Sequence, residues 1–125
     1  MADYVNFDFG SPLVTLTSQA NGNATTANQT NPLHHGLMVW INVSAAGGGT
    51  LTVVIQGVDP ATGNVVTLLS SSAVGAGETF LQVLPSLANV ANSTASLSLP
   101  PTWNLKWTVA GSTGLTATIT CSKLV

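Results

Sequence analysis

The sequence predicts an all-β fold: an antiparallel two-sheet β-sandwich, jelly-roll or Ig-like, of about 7–8 strands. Three observations carry that prediction. Apolar side chains recur at every second position along most of the chain, Gly and Pro break the runs at intervals of roughly 10 to 14 residues, and Thr fills many of the alternate positions. A period of two is the pattern of a half-buried strand, and the β-branched Thr suits a pleated surface. Helical spacing is nearly absent. At 125 residues and 12.7 kDa the chain has the size of one domain with one core.

The elements follow in order. Val5, Phe7 and Phe9 alternate with Asn6 and Asp8 before the breaker Gly10-Ser11-Pro12, and Leu13–Thr17 forms a second short run. Residues 18–32 contain no large apolar side chain and read as a long polar loop that cannot feed a core. The expected division is therefore an N-terminal arm and polar loop over 1–32 and a sandwich body over 33–125. Within the body, Leu37, Val39, Ile41 and Val43 face one way and Met38, Trp40, Asn42 and Ser44 the other, up to Gly47-Gly48-Gly49. Leu51, Val53 and Ile55 begin a hairpin that turns at Asp59-Pro60-Ala61-Thr62-Gly63 and returns through Val65–Leu69. Asp caps such a loop, Pro presets φ, and Gly takes the left-handed position. Gly75–Gly77 turns the chain into Thr79–Leu84, which Pro85 ends.

In 86–101, Leu87, Val90 and Ala91 stand at helical spacing, so this segment reads as either one helical turn or a sheet-crossing loop. Trp103, Leu105, Trp107 and Val109 then point inward, and after a turn at 110–114 so do Leu115, Ala117, Ile119 and Cys121, with Thr on the opposite face.

Composition excludes several classes of function. Four acids and two bases, 5% of the chain, leave a net charge of −2. Two lysines cannot track a phosphate backbone, so no nucleic acid partner is expected. No run of apolar residues is long enough for a spanning helix, and no membrane partner is expected. The N-terminus is acidic and lacks the basic n-region of a secretory signal. The single Cys121 has no internal disulfide partner, which suits synthesis in a reducing compartment. Asn-x-Ser/Thr triplets at Asn23, Asn28, Asn42 and Asn92 read as products of an Asn- and Thr-rich composition. A surface this poor in charge is weakly protected against association, so much of it is expected to be covered by neighbouring chains.

Catalytic chemistry is hard to assemble from these residues. The acids are scattered, and no Gly-x-Ser-x-Gly elbow accompanies the abundant Ser. His34 and His35 are adjacent, and on a strand adjacent side chains point to opposite faces, so they read as a buried or interfacial residue beside a wet one. No catalytic residue, metal ligand or cofactor is assigned. Trp40, opposite the apolar face of its strand, reads first as an interface anchor and second as a platform for a sugar ring.

Several strings resemble a family of small virion proteins of tailed bacteriophages. They are Asn31-Pro32 before Gly36, LTVVIQGVDPATG over 51–63, TLLSSSA over 67–73, a strand ending in Val83 and Pro85 before Leu87, the pairs Ala88-Asn89 and Ala91-Asn92, and LPPTW over 99–103. The hairpin string is the most specific. Thr102 and Asn104 flank Trp103 where the group places Arg, so an arginine contact does not carry over. The resemblance implies a non-enzymatic capsid decoration, or cement, protein, made in the bacterial cytoplasm and located on the capsid exterior. Its implied partners are the major capsid protein and itself, expected as a homotrimer on a three-fold lattice site. The expected contact residues are Val5, Phe7, Phe9, His34, His35 and Trp40, with the Val5–Phe9 segment either adding to a neighbour as an edge strand or forming an ordinary first strand. The competing expectation is a tail or fibre module recognising host surface glycans.

Overall fold

A computed structural model describes residues 12–30 and 36–124. Within them the protein is all β, without a helix, and its strands form two sheets. The first contains β1 (Val14–Gln19), β4 (Gly36–Ala45), β7 (Gly77–Val83), β8 (Thr94–Ala95) and β10 (Leu115–Leu124), in the order β1-β10-β4-β7-β8. The second contains β2 (Gly22–Thr25), β5 (Thr50–Val58), β6 (Val65–Ser70) and β9 (Thr102–Ala110), in the order β2-β9-β5-β6, with β3 (Gln29–Thr30) also paired to β9. The ten strands described slightly exceed the 7–8 expected, the excess being the two-residue strands β3 and β8. The interleaved strand order is that of a jelly roll, which settles the choice against an Ig-like topology. All pairings are antiparallel except β7 with β8.

The alternation in the sequence explains the core. Leu37, Val39, Ile41 and Val43 of β4 face Leu51, Val53 and Ile55 of β5 across the sandwich, with Leu81, Leu105, Leu115 and Ile119 around them, all buried. Trp103, at the Pro100-Pro101 end of β9, is the largest of the fully buried side chains. Trp107 points the same way but is only half-buried.

The polar segment 18–32 is where expectation and structure differ. Instead of a continuous loop it holds β2 and β3, both hydrogen-bonded to β9, and β1 just before it is paired to β10. Residues 14–30 thus belong to both sheets of the body, and Leu16 reaches its core. The reason is physical: an edge strand needs backbone partners, and those require no apolar side chain. Thr26 extends the pairing, donating its backbone N–H to Leu105 O at 2.8 Å and accepting the Leu105 N–H on Oγ1 at 3.0 Å.

Of the two readings for 86–101, the sheet-crossing one holds. Val90 is exposed, and Thr94 Oγ1 donates to Ala88 O at 2.6 Å while accepting the Val90 N–H at 3.1 Å, which closes a compact turn. Asn92, with φ 62°, supplies the left-handed residue.

Four connections cross between the sheets at one end: β1 to β2, β4 to β5, β6 to β7, and β9 to β10. Ser112 ties the first, second and fourth together. Its N–H donates to Asn21 Oδ1 at 2.8 Å and its hydroxyl to Ala46 O at 2.7 Å. Gly47 and Gly48, with φ of 61° and 81°, turn the β4–β5 crossing. Gly49 is needed for a different reason, because a Cβ there would run into the backbone of Ala110, Gly111 and Ser112. Gly49→Ala should therefore cost about 1–3 kcal/mol, the range for overpacking, measured by urea unfolding. A change within error would mean the crossings can separate freely.

Candidate functional site

The period-two alternation that buries one side of β4 presents the other side to solvent. On that outer face, strand register builds rows across the first sheet. Trp40 stands between Thr120 of β10 and Phe80 of β7. Asn42 lies between Thr118 and Glu78, and Met38 between Ser122 and Gln82. Thr15 of β1 continues the Asn42 row. Trp40 and Phe80 are 38% and 45% exposed, with ring centroids 5.6 Å apart and planes inclined by 37°. Two large aromatic rings side by side at the centre of a sheet face, ringed by hydroxyls and amides and by one carboxylate, have the composition of an interface core rather than of a solvated face.

Of the expected contact residues, the structure places Trp40 on this face. Val5, Phe7, Phe9, His34 and His35 lie outside the described residues. Phe80 was not singled out from sequence, although the alternation of Leu81 and Val83 sets Phe80 outward. What the sequence could not supply was the β4–β7 register that puts it against Trp40.

Elsewhere among the described residues the ionisable groups form no metal-holding cluster of three or more His, Cys, Asp or Glu side chains. Asp59 sits at the β5–β6 hairpin as the sequence predicts. Its Oδ1 accepts the Ala61 N–H at 2.8 Å, its carbonyl accepts the Gly63 N–H at 2.8 Å, and Gly63 has φ 77°. The Ala61 N–H, and after it the Thr62 hydroxyl, hold the Asp59 carboxyl below its ordinary value. The folded value is below the unfolded one, so the stabilisation is present above the usual carboxylate range and is lost as pH falls through the folded value. Acid titration of thermal stability should accordingly show the native protein and Asp59→Ala converging at low pH and separating as pH rises, with the native protein the more stable. Curves that stay parallel throughout would contradict the ionic character of this cap.

Comparison with known protein families and with curated proteins finds no match to this chain. What the fold and the site define is a jelly-roll sandwich, poor in charge, with an aromatic-centred outer sheet face.

Proposed function

We propose that this protein is a non-enzymatic bacteriophage capsid decoration protein, which docks on the outer surface of the shell built by the major capsid protein and stabilises the mature head. The observation that carries the reading is the Trp40–Phe80 pair, exposed at the centre of a sheet face whose surrounding rows hold one carboxylate, Glu78, among hydroxyls and amides, in a chain with only 5% charged residues. A ligand that binds the assembled lattice and not its disassembled subunits stabilises the lattice by mass action. Repetition over symmetric sites multiplies a modest contact. Such a role asks for a folded body and a contact surface with an apolar centre, for which the two-sheet sandwich and the Trp40–Phe80 pair are suited. A jelly roll is compatible with it, since viral capsid domains use that fold, but lectins use it as well, and the fold alone assigns nothing.

The second reading, a tail or fibre module for host glycans, draws on the same two rings with the Asn42 and Gln82 amides in neighbouring rows. The 37° inclination between the rings counts against it, because the two do not form one platform for consecutive sugars. The experiment is to offer the purified protein both kinds of target. Co-sedimentation with assembled, undecorated heads and a raised disassembly temperature of those heads support the proposal. Binding on a glycan array with no affinity for heads would replace it with the second reading.

A further inference from the structure

Register and alternation set four side chains in a square on the outer face of the first sheet. Trp40 and Phe80 form one row and Asn42 and Glu78 the next, so Glu78 and Phe80 stand two residues apart on β7 and point the same way. Residues so spaced are about 7 Å apart along a strand. Glu78 is exposed, as are both rings. The two lysines of the chain are elsewhere. Lys106 belongs to β9 of the second sheet. Lys123 pairs with Leu37, toward the far end of β4 from Asn42, and its Nζ donates to Thr30 O at 3.5 Å.

We infer that this square receives a basic side chain of the shell, an arginine of the major capsid protein, whose guanidinium lies over the Trp40 and Phe80 rings and pairs with the Glu78 carboxylate. The inference rests on the decoration reading above and names the chemistry its partner must supply. Two properties of the face ask for the same charge. The π faces of the indole and phenyl rings attract a cation that comes within about 6 Å of a ring centroid. Glu78 asks for one independently, because a contact centred on the rings removes its carboxylate from water, and a desolvated carboxylate without a counter-charge is strongly unfavourable. Neither lysine of this chain is placed to meet it, so the positive charge must come from the partner.

Geometry favours a guanidinium over an ammonium. The ring centroids are 5.6 Å apart, too close for a cation to enter between the rings, so the group must lie on their solvent side. A flat guanidinium stacks there with its N–H donors in its own plane, free to reach sideways, whereas an ammonium is a compact point charge that is more strongly hydrated. A guanidinium over Phe80 has the Glu78 carboxylate at its edge, in position for parallel N–H···O bonds. The Asn42 amide oxygen, beside Glu78, is placed to accept a further N–H. Glu78 thereby sets specificity. The rings alone would accept many apolar surfaces, and the carboxylate rejects any that lacks a positive charge at that point.

The test is binding of the purified protein to assembled, undecorated heads over a range of salt concentrations. Glu78→Gln keeps the size of the side chain and removes its charge, and it should weaken binding by roughly thirtyfold or more, the loss expected when one partner of a buried charge pair is removed. It should also flatten the dependence of affinity on salt. The melting temperature should not move, since Glu78 is exposed. Asp59→Asn removes the same charge from the β5–β6 hairpin and should bind as the native protein does. Heads whose arginines are blocked with phenylglyoxal should bind the native protein no more tightly than they bind Glu78→Gln, whose own affinity should be unchanged by the blocking. Native-like binding by Glu78→Gln overturns the inference, as does a loss that Asp59→Asn reproduces or a blocking that weakens both proteins alike. If binding is lost on replacing Trp40 and Phe80 by Ala but not on Glu78→Gln, this inference alone falls and the decoration reading stands. Heads that bind no form of the protein bring down both.

Discussion

Replacing Trp103 by Ala should remove about 3–5 kcal/mol of stability and lower the melting temperature by roughly 10–20 °C, the largest effect expected of any single truncation in this chain. Trp103 is 1% exposed and is the bulkiest of the fully buried side chains. Its backbone is held between Gly57 of β5 and Gln29 of β3, so the sheet has little freedom to collapse into the space. The conservative substitution makes the argument sharper. Among the described residues the Trp103 indole N–H has no hydrogen-bond acceptor, so Trp103→Phe gives up ring volume but also removes a buried unpaired donor. It should cost much less than Ala. Equal losses for the two, read from urea unfolding, would show that the N–H is paired and that hydrogen bonding rather than volume holds this site.

Replacing Trp40 and Phe80 together by Ala should have the opposite profile. The side chains are on the outer face and half-exposed, so the melting temperature should move little, whereas affinity for assembled heads should fall by about 2 kcal/mol or more, roughly thirtyfold, as for central aromatic anchors of an interface. Binding isotherms on heads, with thermal melts of the same samples, separate the two quantities. Unchanged binding would remove this face from the mechanism. A large drop in melting temperature would show the pair to be part of the fold.

The outward position of Trp40 and the inward positions of Leu105 and Ile119 were legible in the sequence because a strand in a sandwich has one dry face and one wet face, and period two records which is which. The Asp59–Gly63 turn was legible for a related reason, since its geometry is fixed by residues within five positions. β2 and β3 were not. As edge strands they gain their order from backbone bonds to β9, and their side chains, Asn23, Thr25 and Gln29 among them, carry no burial signal. The spacing of Leu87, Val90 and Ala91 left a helical turn and a sheet-crossing loop both open, because it carried no burial signal: Val90 ends up exposed and the segment is ordered by the side chains of Thr94 and Asn89, whose Oδ1 accepts the Ser96 N–H at 2.7 Å. The Trp40–Phe80 pairing depends on the long-range register between β4 and β7, which local pattern does not encode.

The account centres on which surface of the sandwich meets the shell, and a density map of the decorated particle tests that directly. The expected map has this protein on the outside of the head with the outer face of the β1-β10-β4-β7-β8 sheet turned toward the capsid, and Trp40 and Phe80 buried in the contact. A map of the intact particle in which that face points to solvent, or in which the shell carries no density for the protein, would contradict it.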